Sequence, residues 1–229
     1  MTTAIIKDIT IGGQRLILGD CQEVMRELGR FDTLVSDPPY EIQTTGGGIH
    51  SKRTFLKDVK KAKINKGFNY NIIDAELYGS AIIFCHNDQL VKLLPSLSSK
   101  YKRYVLCAWQ KTNPMPVANK HYQPELELYV HAWNKGYHPQ GELSDKKRIF
   151  THTVGKSKYD HPTVKPLGLM QKVVTNATGT ILDPFMGSGT TLVACEKLGR
   201  KGVGIEVNEK YFNIACERVH EAVNNLELF

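Results

Sequence analysis

An α/β fold, with a largely parallel sheet covered by helices on both faces, is the class this sequence predicts. Short apolar, β-rich runs alternate along the chain with amphipathic helical stretches, the pattern of strand–helix–strand units. A glycine-rich turn at residues 183–191 joins one such strand to a helix start. The 229 residues are enough for one well-packed domain with a modest insertion, so the expected organisation is a single domain over 1–229.

The elements follow in chain order. Arg15–Leu18 and Thr33–Ser36 read as buried strands flanking a helix from about Gln22 to Leu28. Ala81–Cys85 is a strand, after which Asn87 or Asp88 can cap a helix running towards Ser98. Tyr104–Trp109 and Leu126–Trp133 are apolar and aromatic enough for strands, and the prolines of Lys111–Pro116 place a loop between them. Pro166 opens a helix to about Asn176, since proline fits a first turn. Strand Thr180–Leu182, a helix over Thr190–Leu198, strand Gly202–Ile205 and a helix over Asn208–Asn224 complete the chain. Two stretches resist this alternation. Glu41–Tyr70 is glycine-rich and then lysine-rich and is expected to be a basic, mobile loop; Gly136–Asp160 shows no period.

Composition narrows the classes. A hydrophobic share of 41% with 23% charged residues is that of an ordinary globular chain. No apolar run approaches the roughly 18–20 residues that span a bilayer, and Met1–Lys7 lacks the layout of a secretory signal, so no membrane partner and a cytoplasmic location are expected. Cys21, Cys85, Cys107, Cys195 and Cys216 are odd in number and contain no CxxC pair, which reads as reduced core thiols and gives no metal pattern. The formal charge of +7 is concentrated. Lys52, Arg53, Lys57, Lys60, Lys61, Lys63 and Lys66 face only Asp58 within Ser51–Lys66, which is either a solvated face or a polyanion contact.

Asp37-Pro38-Pro39-Tyr40 directly follows the apolar run Thr33–Ser36. Prolines cannot continue a central strand, so the run ends there and an acid, two proline carbonyls and an aromatic ring gather at the sheet edge. Acceptors beside a stacking surface suit a planar ligand that carries an amino group. A second constellation lies at Asp183-Pro184-Phe185-Met186-Gly187-Ser188-Gly189-Thr190-Thr191, where glycines allow close backbone approach and a helix N-terminus offers unpaired N–H groups. Glu206 ends the next strand about 20 residues on, where α/β nucleotide sites hold a ribose. No lysine follows Gly189, which disfavours a phosphate loop, and Leu192 stands where a dinucleotide fold prefers glycine. An acid that opens the turn repels phosphate and welcomes an ammonium. Adenosine with an amino-acid tail, S-adenosylmethionine, fits that polarity.

With these residues the chain resembles the DNA amino-methyltransferases that modify adenine at N6 or cytosine at N4. The resemblance is carried by Asp37–Tyr40, by His161-Pro162-Thr163-Val164-Lys165-Pro166, by Asp183–Thr191 and by Gly204-Ile205-Glu206, with weaker matches at Leu18-Gly19-Asp20 and Trp109–Pro114. The order, catalytic segment before cofactor turn, is that of the β-class. The resemblance implies a Rossmann-like methyltransferase fold with a seven-stranded sheet and one antiparallel strand. It implies S-adenosylmethionine as cofactor, with Asp183, Phe185, Gly187, Ser188, Gly189 and Thr190 at its methionine end and Glu206 at its ribose. Asp20 is then near the cofactor adenine, or simply a helix cap, and Thr163 and Lys165 lie against the cofactor's tail.

The same resemblance implies double-stranded DNA as partner, with the target base flipped out against Asp37, Pro38, Pro39 and Tyr40 and supported by Asn113. It places a small target-recognition region at about 115–160, where Lys146, Lys147 and Arg148 are candidate DNA contacts alongside the basic segment at 52–63. β-class members include dimers, which makes a homodimer a candidate state. Aspartate ahead of Pro-Pro-Tyr points to adenine, with cytosine-N4 as the alternative. Carbon methylation of cytosine needs a cysteine nucleophile, and no cysteine follows a proline here. Remaining alternatives are a catalytically silent DNA-binding homologue and the same amine chemistry on RNA or a small molecule.

Overall fold

The computed structural model describes residues 4–41, 67–116, 122–155 and 164–226. The strands are β1 Ile5–Ile11, β2 Gln14–Gly19, β3 Phe31–Ser36, β4 Tyr78–Cys85, β5 Arg103–Lys111, β6 Leu126–Trp133, β7 Ile149–His152, β8 Ile181–Asp183 and β9 Gly202–Glu206. The helices are α1 Cys21–Glu27, α2 Leu90–Lys100, α3 Leu167–Asn176, α4 Thr190–Lys197 and α5 Glu209–Leu226. All nine strands join one sheet in the order β1-β2-β9-β8-β3-β4-β6-β5-β7. β1 runs antiparallel to β2, and β6 antiparallel to both β4 and β5; every other pair is parallel.

Among the described residues the sheet has nine strands where seven were expected. The seven from β2 to β5 carry one reversed strand, β6, as anticipated, and β1 and β7 are additions at the two edges. Both additions are largely solvated. β1 exposes most of its side chains and joins β2 through a hairpin at Gly12 and Gly13, with Gly12 at φ +56°. β7 has four residues and lies inside the stretch Gly136–Asp160, which was expected to lack regular structure. Its order comes from pairing with β5, from Ala108–Ile149 to Lys111–His152.

Strand alternation divides the core between the two faces. On one face Ile17, Leu34, Ala81, Ile83, Leu182 and Ile205 pack against α1 and α2. On the other, Val35, Ile82 and Phe84 meet Leu169, Met170 and Val173 of α3, and Leu16 and Leu18 meet Phe212, Ala215 and Val219 of α5. Adjacent residues such as Leu34 and Val35 are both fully buried yet serve opposite faces, and truncating Leu34 to alanine costs about 2–5 kcal/mol. From β8 the chain winds one way to β9, and from β3 the other way to β4. The strand ends of β8 and β3 thus flank the topological switch point, where open α/β sheets bind ligands.

Candidate active site

Asp37 emerges one residue past the end of β3. Pro38 is buried behind it, and the buried Gln89 amide donates to the Pro39 carbonyl at 3.5 Å while its own oxygen accepts from the His86 N–H. The turn is thereby fastened to the segment following β4. Tyr40 folds back so that its hydroxyl lies 2.8 Å from Asp37 Oδ1 and 3.0 Å from Glu127 Oε1. Lys165, which immediately precedes Pro166 and α3, reaches into the same corner. Its Nζ is 2.5 Å from Asp37 Oδ2 and 2.7 Å from Glu127 Oε1, and it sits over the rings of Phe84 and Tyr40. The remaining oxygen of Glu127 pairs with Lys111 at 3.0 Å.

Two carboxylates and two ammoniums thus share a dry corner, and burial sets how they titrate. Desolvation raises Asp37 above the ordinary aspartate value and Glu127 adds to that, with Lys165 only partly offsetting it. Glu127 is desolvated too, but Lys165 and Lys111 together pull it down to about 2. The difference is physical: Glu127 has two lysines and Asp37 shares one. Burial opposes the charge on Lys165, yet the two carboxylates hold it above the usual lysine value. Burial and the same acids push the Tyr40 phenol well up, so it is a hydrogen-bond donor at neutral pH.

The glycine turn stands on the neighbouring strand. Asp183 is buried at the end of β8 and accepts from the Thr191 hydroxyl at 2.5 Å and the Phe185 N–H at 3.1 Å. Desolvation pushes its carboxyl up to about 7, the two donors working against that shift and the charges of Asp37 and Glu206 adding to it. Glu206, at the end of β9, accepts the Gly187 N–H at 3.0 Å and the Asn208 N–H at 2.8 Å; burial raises it as well. Gly189 caps α4 at φ +78°, and a Cβ there would lie 2.8 Å from that of Ala215. Phe185 meets the ring of Phe68 edge-on.

The remaining sequence candidates divide. Asp20 is exposed and caps α1 through the Gln22 N–H. The Asn113 amide both donates to and accepts from the Val154 backbone, which ties the end of β5 to the chain beyond β7. Lys146, Lys147 and Arg148 are exposed just before β7, at the end of that strand opposite to His152, the residue level with Lys111. Thr163, Lys52, Arg53, Lys57, Lys60, Lys61 and Lys63 lie outside the described residues.

A family model described as DNA methylase, for N6/N4 methyltransferases, matches residues 31–217. The chain belongs to the N6/N4 DNA methylase family. The type II methyltransferase M2.DpnII of Streptococcus pneumoniae is 36% identical over 135 residues, 51% of this chain and 50% of that protein. The chain thus spans about half the length of the first curated relatives it matches. M2.MboI of Moraxella bovis is 27% identical over 89% of this chain and 86% of its own length. Among solved structures, the M1.HpyAVI–SAM complex matches with a TM-score of 0.65 and 26% identity, covering 90% of this chain and 99% of that one.

Two residues of this chain's candidate site escaped the sequence reading. Glu127 was absorbed into the apolar strand Leu126–Trp133, where a single acid was the available signal. Arg218 sits on the α5 face that carries the buried Ala215, Val219 and Ala222, and is itself buried. Its Nη1 donates to the Ser188 carbonyl at 2.6 Å, to Ser188 Oγ at 2.8 Å and to Thr190 Oγ1 at 3.0 Å. Those two hydroxyls, candidates for cofactor contact, therefore face the arginine. Replacing Arg218 with methionine should lower stability by about 3 kcal/mol, because several charge-assisted bonds are lost together. Thermal denaturation checks the loss, and cofactor titration should show weaker binding as the turn loosens.

Proposed function

We propose that this chain is an S-adenosylmethionine-dependent DNA methyltransferase acting on the exocyclic N6 amine of adenine in double-stranded DNA. The observation that carries the reading is the juxtaposition of Asp37–Tyr40 at the end of β3 with Asp183 and the glycine turn at the end of β8, across the switch point of the sheet. The donor set fits the cofactor. Asp183 is a buried acid suited to an ammonium, the turn from Gly187 to Thr190 supplies close backbone, and Glu206 retains lone pairs for a ribose diol. M1.HpyAVI, a structural relative, was crystallised with SAM. When bound, the cofactor supplies an electrophilic methyl group.

The chain's own residues handle the amine. Conjugation withdraws the lone pair of an exocyclic amine into the ring. If the Asp37 carboxylate accepts one amine hydrogen and the Pro38 carbonyl the other, the nitrogen moves towards tetrahedral geometry and its lone pair localises. Asp37 also stabilises the positive charge that develops on nitrogen, and it need not be a strong base, since a methylated, positively charged amine is very acidic. Tyr40 presents its ring to the flipped base; extrusion from the duplex costs a few kcal/mol. The basic segment at 52–63 supplies phosphate contacts, which position the duplex without specifying sequence.

Labelled methyl transfer to unmethylated duplex DNA, followed by nucleoside analysis, tests this. Label in N6-methyladenine is the expected result. Label only in N4-methylcytosine would overturn the choice of base, and no incorporation into any DNA would overturn the activity.

A further inference from the structure

We propose that Glu127 is a positioning residue that keeps Asp37 open to the substrate amine by sharing both of Asp37's partners, the Tyr40 hydroxyl hydrogen and the Lys165 ammonium. This rests on the reading above, in which Asp37 accepts an amine hydrogen.

The geometry creates a competition at Asp37. The Tyr40 hydroxyl has one hydrogen and two carboxylate acceptors, Asp37 Oδ1 at 2.8 Å and Glu127 Oε1 at 3.0 Å. Lys165 likewise stands between Asp37 Oδ2 at 2.5 Å and Glu127 Oε1 at 2.7 Å. If Glu127 were neutral, the anionic acceptor left for both donors would be Asp37, and an incoming amine would have to displace them. With Glu127 present, the Tyr40 hydrogen rotates from Asp37 to Glu127 as the amine arrives. No covalent bond changes and no donor loses an acceptor. Lys111 holds the other Glu127 oxygen at 3.0 Å and itself lies over the Trp109 ring, so the acceptor is fixed in place by β5.

Charge follows the same logic. Asp37 and Glu127 balance Lys165 and Lys111; Asp183 on β8 is a further acid within electrostatic reach of Asp37. Removing only the Glu127 charge leaves Asp37 facing the ammoniums alone and makes it a stronger acid, tightly paired.

The test is Glu127→Gln in the full chain, assayed with duplex DNA and S-adenosylmethionine across pH. The expected result is a kcat lower by about tenfold or more, the scale of one contested charge-assisted hydrogen bond. KM for the cofactor should be unchanged, and the acid limb of the kcat profile should move to lower pH. In a Tyr40→Phe background, which removes the contested hydrogen, the loss caused by Glu127→Gln should shrink. A wild-type kcat with an unmoved acid limb would overturn the proposal. If Glu127→Gln fails to fold, Glu127→Asp withdraws the acceptor while keeping the charge, and an undiminished kcat there would overturn it equally. Asp37→Asn run in parallel separates the two ideas. If that variant still methylates, the reading of Asp37 fails; if it is inactive while Glu127→Gln matches wild type, only the role of Glu127 fails.

Discussion

Asp37→Asn should reduce methyl transfer by about 10³-fold or more and leave cofactor affinity within a few-fold of wild type. The substitution is nearly isosteric, so the turn held by Gln89 and the buried Pro38 should persist. What changes is chemistry at two atoms. One carboxylate oxygen becomes an NH2 group, which cannot accept an amine hydrogen, and the negative charge opposite the developing cation is gone. Lys165 keeps an anionic partner in Glu127 at 2.7 Å, so the corner is not left with an uncompensated buried ammonium. The loss should therefore fall on the chemical step rather than on folding. Single-turnover methyl incorporation paired with calorimetric cofactor titration checks both halves. Turnover within tenfold of wild type would remove Asp37 from the centre of the mechanism.

The architecture was legible where burial and period agree. Runs such as Thr33–Ser36 and Ala81–Cys85 are apolar because both faces of a central parallel strand are covered, and each appears where its composition placed it. β1 and β7 were not legible because edge strands need no apolar face. Ile5–Ile11 exposes Lys7, Asp8 and Thr10, and Ile149–His152 gives the core one half-buried ring, Phe150, and otherwise relies on pairing with β5. Half of the site was legible for a related reason. Asp37–Tyr40 and Asp183–Thr191 are contiguous in sequence, so local chemistry announces them.

Glu127 and Arg218 act across the fold on residues far away in the chain, and a lone charge in an apolar strand or on a buried helix face does not name its partner. Lys165 was assigned to the cofactor's tail by resemblance, whereas the fold brings its ammonium to Asp37 and Glu127. The sequence alone could not supply that pairing, because Lys165 and Asp37 meet only once α3 packs on the sheet face that also carries Val35 and Phe84.

If Asp183 holds the cofactor's ammonium as proposed, cofactor affinity should weaken as pH falls below about 7, approaching tenfold per pH unit, because the carboxyl must then be ionised. Burial pushes this carboxyl up to about 7, with Asp37 and Glu206 adding to the shift against the Thr191 and Phe185 donors. Below that pH the cofactor-free site is protonated, so binding must expel a proton, and the apparent Kd rises as protons become harder to release. The ammonium of a free α-amino group is itself lost above about pH 8, which makes the affinity greatest near neutrality. The sign for folding is the reverse. A folded value raised from the ordinary 3.8 means that the native state retains a proton the unfolded chain has lost, so this group withdraws stability from the cofactor-free protein as pH rises from about 4 to 7. Added cofactor should therefore raise the melting temperature more at pH 7.5 than at pH 5.5. Calorimetry in two buffers of different ionisation enthalpy counts the released proton directly. Asp183→Asn should bind weakly at every pH and lose the acid limb, and Asp37→Asn, by removing a neighbouring charge, should move that limb to lower pH. A Kd that stays flat between pH 5.5 and 7 in the wild-type protein would show that Asp183 is ionised before the cofactor arrives, and that burial is not what governs this end of the site.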